Sequence, residues 1–173
     1  MKNKVLFWVF GIGVVLAIIF FGLNYLTMKK PIVFRIPSEA MHPTILKGEK
    51  IGIDRFAYLK DSPKRDDIVV FKDQEEKYQV KRIIGLPMET IEIRKGKVLV
   101  NGQEIPSSIY YYNAGNFGKD GQMVKVPADS YYLLGDNSAK SKDSRYFGFV
   151  QCADIQGKVI ATKSEAGKMQ FFK

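Results

Sequence analysis

Among the side chains that could serve as a base or a nucleophile, Lys81 stands in the most telling surroundings. It lies within Tyr78-Gln79-Val80-Lys81-Arg82-Ile83-Ile84, where Val80, Ile83 and Ile84 would strip water from its amine. A lysine acts as a general base only when neutral, so its ordinary pKa of about 10.4 has to fall. Desolvation does this by disfavouring the charged form. The other reading is a strand-edge lysine pointing into solvent, and the local sequence leaves both open. The chain holds one histidine, His42, and one cysteine, Cys152. His42 sits between Met41 and Pro43, too constrained to reach a hydroxyl two residues back, so it reads as a surface turn residue rather than the base of a Ser-His-Asp triad. Cys152 has no base near it in sequence and reads as a small buried residue. One His and one Cys without ligand spacing make no zinc site, and no metal or cofactor is expected.

Two polar stretches accompany the lysine. In Ile36-Pro37-Ser38-Glu39-Ala40-Met41-His42-Pro43-Thr44-Ile45 two prolines hold φ near −65° on either side of a short run. Pro43 keeps His42 out of the α region. A rigid turn displaying Ser38, Ala40 and Met41 follows. The second stretch, Gly135-Asp136-Asn137-Ser138-Ala139-Lys140-Ser141-Lys142-Asp143-Ser144-Arg145, has the composition of a tight loop whose Asp, Asn and Ser side chains bond their own backbone. By composition alone it is equally a surface turn.

The elements that would position these residues begin with an apolar segment. No charged residue occurs from Val5 to Met28, long enough to cross a bilayer core, which takes about 20 residues. Trp8 and Tyr25 lie near its ends, where interfacial aromatics are favoured. It exceeds a secretory h-region and no small-x-small cleavage site follows, so it reads as an uncleaved anchor over 5–28, after a short N-terminus of residues 1–4. Lysines flank both sides, and the positive-inside rule does not orient it. The formal charge of +9, from 27 Lys+Arg against 18 Asp+Glu, is scattered and comes with no nucleic-acid motif. It suits an anionic lipid surface better; the expected partner is the bilayer, not nucleic acid.

Beyond the anchor, residues 29–173 read as one domain of many short strands: Ile32–Ile36, Ile51–Phe56, Ile68–Phe71, Gln79–Ile84, Thr90–Ile93 with Val98–Val100 as a hairpin, Gln103–Ile105, Val124–Val126, Ser130–Leu134 and Gly157–Thr162. Asn101-Gly102 is a strong turn signal. Ser107 to Gln122 lacks periodicity and reads as a surface excursion. No sustained 3.6-residue apolar period appears. The fold class is therefore mainly β, an antiparallel barrel or sandwich with one N-terminal transmembrane helix.

In their order and spacing, Pro37-Ser38-Glu39-Ala40-Met41-His42-Pro43-Thr44, Arg65–Phe71, Lys81-Arg82 and Gly135–Arg145 with Tyr146-Phe147-Gly148-Phe149 resemble the type I signal peptidases (peptidase family S26, Gram-positive type). These are membrane-bound serine–lysine endopeptidases that remove signal peptides from exported preproteins. The resemblance runs from about Ile36 to Phe149. It implies Lys81 as general base and Ser38 as a hydroxyl lent to an oxyanion hole beside the position-40 backbone N–H. It implies Ser141 as orienter of the Lys81 amine, with Arg82–Asp136 and Arg145–Asp143 as supporting ion pairs. Met41, Pro37 and Glu39 would meet substrate, with Met41 lining the pocket for a small residue. The substrate, the signal peptide of a preprotein, would bind as an added strand, with the domain on the extracytoplasmic face of the cell membrane. Soluble self-cleaving repressors with a serine–lysine dyad share this β architecture, but carry a DNA-binding module and no anchor.

The chain departs from the family pattern at two places. Met88-Glu89 stands where Gly-Asp is usual after Leu-Pro. Ala40 stands where the family has its nucleophilic serine, and a methyl group cannot acylate. Three explanations follow: an engineered Ser→Ala change in a working peptidase, a natural non-catalytic homologue that binds peptides or assists surface-protein assembly, or a variant that attacks with Ser38.

Overall fold

The computed structural model describes residues 11–23, 32–106, 111 and 115–172. The chain divides into two compact units, Met1–Pro31 and Ile32–Lys173. In the first, residues 11–23 are helical (α1), and apolar side chains such as Ile12, Leu16, Ile19 and Leu23 are exposed. Among the described residues no helix is long and apolar enough to cross a membrane. Residues 5–10 and 24–28 of the expected anchor lie outside the described residues.

The second unit is antiparallel β. Its strands are β1 (Ile32–Arg35), β2 (Lys50–Asp54), β3 (Ile68–Lys72), β4 (Tyr78–Gly85), β5 (Thr90–Arg94), β6 (Lys97–Val100), β7 (Gln103–Glu104), β8 (Met123–Lys125), β9 (Ser130–Leu134), β10 (Val150–Gln151), β11 (Ile155–Lys163) and β12 (Met169–Phe171), with one short helix, α2 (Ser144–Phe147). The larger sheet runs β1-β2-β11-β3-β4-β9-β10, with β12 on β11, and the smaller runs β7-β6-β5-β8. The path ends at β1 and β10, so the expected barrel does not close. The sheet nevertheless curls: Phe34 on β1 and Tyr78 on β4 stand apart in strand order, yet their ring centroids are 5.7 Å apart.

The sequence pattern explains which strands are central. Ile68-Val69-Val70-Phe71 is apolar without alternation because both faces of β3 are buried. Ile68 and Val70 join a cluster with Ile36, Met41, Ile45, Ile51, Ile53 and Val159. Val69 and Phe71 join Ile83, Tyr131, Leu133 and Val150 on the other face. A third cluster, including Ile84, Ile91, Val98, Val124, Tyr132 and Leu134, joins the two sheets. At roughly 25 cal/mol per Å² of apolar surface, these clusters supply most of the domain's cohesion.

Other expectations change in the folded chain. Cys152 is exposed rather than buried; it opens a 3₁₀ turn between β10 and β11. Within the expected surface excursion, residues 107–110 and 112–114 lie outside the described residues. Tyr111 is nevertheless buried in the core, its backbone N–H donating to Gly96 O at 2.8 Å. The short β10, β12 and α2 carry too few residues to show any period in sequence.

The Leu86-Pro87-Met88-Glu89 turn shows what the first departure from the family pattern costs. Met88 has φ of 68°, the left-handed region that costs a non-glycine residue about 1–2 kcal/mol, and its side chain is exposed. Glu89 compensates in part: Oε2 accepts from Leu86 N at 2.7 Å and Oε1 pairs with Arg65 Nη2 at 2.5 Å. Met88→Gly relieves the strain against a chain-entropy cost of about 0.5–1 kcal/mol. It should raise stability by about 0.5–1 kcal/mol, read as a higher urea midpoint with an unchanged m-value.

Candidate active site

The turn of residues 36–45 hangs from β1 and β2 by two backbone bonds. Ile36 N donates to Glu49 O at 2.8 Å and Gly48 N to Ile36 O at 2.8 Å. Within it, His42 N donates to Glu39 O at 3.1 Å and Ile45 N to Met41 O at 2.9 Å. The bond from His42 to Pro43 is cis. Pro37, Ser38 and His42 are exposed, while Ala40 and Met41, expected on display with Ser38, are buried because both side chains turn into the domain. Met41 is 2% exposed and packs in the core cluster under the turn, which anchors Ala40 from beneath.

The loop from Gly135 to Ser144 docks on this turn. Asn137 N donates to Ala40 O at 2.9 Å. Glu39 pairs with Lys140, a contact between partly exposed side chains that contributes little in water. Gly135 lies where the two segments meet. A Cβ there would stand 2.1 Å from Ser141 Oγ and 2.7 Å from Ala40 O, closer than any side chain tolerates, so the approach depends on glycine. Ser141 Oγ is buried and has no hydrogen-bond partner among the described residues.

The loop owes its shape to a buried ion pair. Asp143 and Arg145 have fully buried side chains. Arg145 Nε donates to Asp143 Oδ1 at 2.8 Å and Nη2 to Oδ2 at 3.0 Å. The same guanidinium donates to Ser138 Oγ and Ser138 O, both at 2.8 Å, and to Ser141 O at 3.3 Å. Asp143 also accepts from Gly135 N at 3.0 Å. The hydroxyl of Ser144 accepts from Leu133 N at 2.8 Å, tying the loop's end to β9. A second pair joins the loop to β4: Arg82 Nε and Nη2 donate to Asp136 Oδ1 and Oδ2 at 2.9 and 2.6 Å. Both ion pairs implied by the family resemblance are thus formed.

Lys81 lies opposite Val69 in the β3–β4 ladder and is only 2% exposed. The solvent-facing reading of this lysine is therefore excluded. Burial pushes its amine below the ordinary lysine range, against the opposing pull of the Asp143 and Asp73 carboxylates. The amine donates to Val80 O at 3.2 Å. The expected partner, Ser141 Oγ, is not bonded to it in this chain. Arg82, the next residue, points to the opposite face of the strand, as alternation requires.

Sequence reasoning gave Asn137, Ser138 and Ser144 only a share in a loop bonded to its own backbone, and Gly135 no role, whereas Ser144 bonds β9 and Ser138 bonds Arg145. Their signal is composition alone, since small and polar residues in a loop look alike whether they bond solvent or a buried charge.

The turn bearing Ala40 is thus held by the Gly135–Ser144 loop, whose Asp143 acts electrostatically on the desolvated Lys81. The comparisons identify the family. The family described as signal peptidase, peptidase S26, matches residues 5–162. A signal peptidase I of Leptolyngbya laminosa is 36% identical over 72% of this chain, a match that spans 64% of that relative. Signal peptidase I P of Bacillus subtilis subsp. natto is 32% identical over 90% of this chain and 87% of its own length. Signal peptidase IB of Staphylococcus aureus is 29% identical over 92% and 89%. A crystal structure of a signal peptidase I from Enterococcus faecalis V583 covers 57% of this chain and 97% of its own, with 31% identity and a TM-score of 0.49. The chain belongs to the type I signal peptidases, a family of serine endopeptidases.

Two stability outcomes follow. Arg145→Met leaves Asp143 buried without its partner and should cost about 3–5 kcal/mol, measured by urea unfolding of the β domain's signal. Lys81 acts in the opposite sense. Its pKa is lower folded than unfolded, so between the two values the unfolded chain holds the extra proton and stability rises with pH. That gain is complete above the unfolded value of about 10.4 and is lost as pH falls through the folded one. Lys81→Met should raise stability at neutral pH and flatten the rise toward alkaline pH, read from urea midpoints between pH 7 and 10.

Proposed function

We propose that this chain carries the signal-peptide-cleaving machinery of an exported-protein peptidase, complete except for its nucleophile. The single observation that supports this best is Lys81, an amine buried in the core of a β-sheet beside the loop that holds Ala40. Nothing in packing requires a lysine there, and a buried ammonium is destabilising. A neutral amine is what a general base needs. In this reading Lys81 takes the proton of a hydroxyl at position 40, while the backbone N–H of that residue and the Ser38 hydroxyl stabilise the oxyanion. The Ser141 hydroxyl, not bonded to Lys81 with Ala40 in place, is the group that would orient the amine once a hydroxyl stands at position 40. Asp136 and Asp143, with Arg82 and Arg145, hold the strand and loop in register. Pro37 and Glu39 shape the surface that meets the peptide before the cleaved bond, and Met41, buried beneath them, supports that surface from the core. With Ala40 the chain binds signal peptides of preproteins and hydrolyses very little.

The same reading makes residues 5–28 a single membrane anchor. Residues 1–4 lie in the cytoplasm and residues 29–173 form an extracytoplasmic domain at the cell membrane. The uncharged sequence and the exposed apolar side chains of α1 support it. A second reading, attack by Ser38, draws on that side chain's exposure. A natural non-catalytic homologue acting in peptide binding or surface-protein assembly is the outcome to expect if chemistry cannot be restored.

The test is preprotein cleavage by the full chain in detergent or vesicles, as it stands and as Ala40→Ser, with and without Lys81→Ala or Ser38→Ala. Ala40→Ser should gain cleavage after a small-x-small motif by at least about 10³-fold, within the range that a nucleophile contributes. Its rate should rise with pH as the Lys81 amine loses its proton. Lys81→Ala should abolish the gain. Cleavage by the unaltered chain that Ser38→Ala removes would move the nucleophile to Ser38. No cleavage by any variant would leave binding or assembly as the function.

A further inference from the structure

We propose that Thr44 is a positioning residue for the candidate site, a directional link that ties the turn bearing residue 40 to the strand bearing Lys81 through Asp136 and Arg82. The catalytic part of this rests on the reading that position 40 is the point of attack. Thr44 stands four residues beyond Ala40 and is half-buried. Its hydroxyl donates to Asp136 Oδ2. Asp136 is 3% exposed and is held on both oxygens by Arg82. The third guanidinium position of Arg82, Nη1, donates to Asp66 O at 3.0 Å. The acceptor that Thr44 meets is therefore immobile, and Arg82 is the immediate neighbour of Lys81.

The geometry makes this contact more than one hydrogen bond among many. Ala40 and Thr44, the two ends of a four-residue step, are pinned by consecutive loop residues: Ala40 O by Asn137 N, and Thr44 by Asp136. Two pins at that spacing set both the position and the tilt of the turn, whereas one would leave it free to pivot. A further contact between turn and loop, Glu39–Lys140, is solvent-exposed and too weak to substitute. Hydrogen bonds to a charged group are among the stronger neutral-donor contacts. The apolar anchoring by Met41 and Ile45 fixes depth but has no direction of its own. A nucleophile must sit within a fraction of an ångström of its attack geometry, and a misplacement of about 1 Å costs on the order of 10²-fold in rate.

Valine matches threonine in shape and lacks the donor. In the Ala40→Ser background, Thr44→Val should lower kcat for a preprotein by about 10- to 100-fold with KM within about twofold. Thr44→Ser should restore most of the rate, because it returns the hydroxyl. An independent measurement uses the full chain with Ala40 in place: amide hydrogen exchange at Asn137. Thr44→Val should speed exchange of that N–H at least about tenfold, while the Leu133 N–H, held by Ser144, stays at its original rate. Unchanged kcat in Thr44→Val, failure of Thr44→Ser to rescue, or unchanged exchange at Asn137 would each overturn the proposal. If Ala40→Ser itself cleaves nothing, the catalytic reading falls, and the exchange result alone decides whether Thr44 positions the turn.

Discussion

The arrangement depends first on the pairing of Asp143 with Arg145 in a place without water. Both side chains are wholly buried, and a buried charge is tolerable only when its partner and its remaining hydrogen-bonding positions are supplied by the protein. The guanidinium therefore draws in Ser138 and Ser141, and the carboxylate draws in Gly135 N. Few loop conformations satisfy all of these at once. The pair selects a shape more than it adds cohesion, and that shape presents Gly135, Asp136, Asn137 and Ser141 together toward the turn.

Lys81 shows the opposite use of burial. The amine is removed from water like Arg145, but its bond is to a backbone carbonyl, Val80 O, not to a carboxylate. Asp143 pulls on it only from a distance, as one of the charges opposing desolvation. Had a carboxylate stood in contact, the ammonium would have been stabilised and useless as a base. Arg145 absorbs the Asp143 charge at close range, so one loop holds a carboxylate beside a lysine without fixing the lysine's proton. The buried, unpartnered Ser141 hydroxyl fits the same economy of polar contacts: the loop satisfies its charges first.

The curled sheet provides the place where these parts converge. β3 is buried on both faces, and β4, exposed at Tyr78 where it begins, is buried or half-buried from Gln79 onward. Lys81 and Arg82 exploit this, one on each face of the same strand. The turn of residues 36–45 is sealed from below by Met41 and Ile45 in the cluster inside the curl, and from the side by the loop. Glycine at 135 is what permits the final approach. With position 40 occupied by alanine, all of this organisation remains, which is why substitution at one atom's worth of side chain is the decisive comparison.

Much of the domain was legible along the chain because strand signals are local. Ile68–Phe71 and Ser130–Leu134 read as strands and Asn101-Gly102 as a turn, since each follows from local composition and nearest-neighbour sterics. The blocks around Ala40, Lys81 and Gly135–Arg145 could also be located, and their order identifies the family. Sequence alone could not say that Lys81 is buried, because its local pattern suits a solvent-facing lysine equally well. The strands packed around β4, distant in sequence, decided that. Nor could it show that Tyr111 enters the core from an aperiodic segment, that Cys152 faces solvent, or that β1 curls over to Tyr78. The link from Thr44 through Asp136 to Arg82 joins residues far apart in the chain. Hydrogen bonds of that span leave no periodic trace, so the sequence by itself determined which residues could take part, and only the folded chain determined which of them meet.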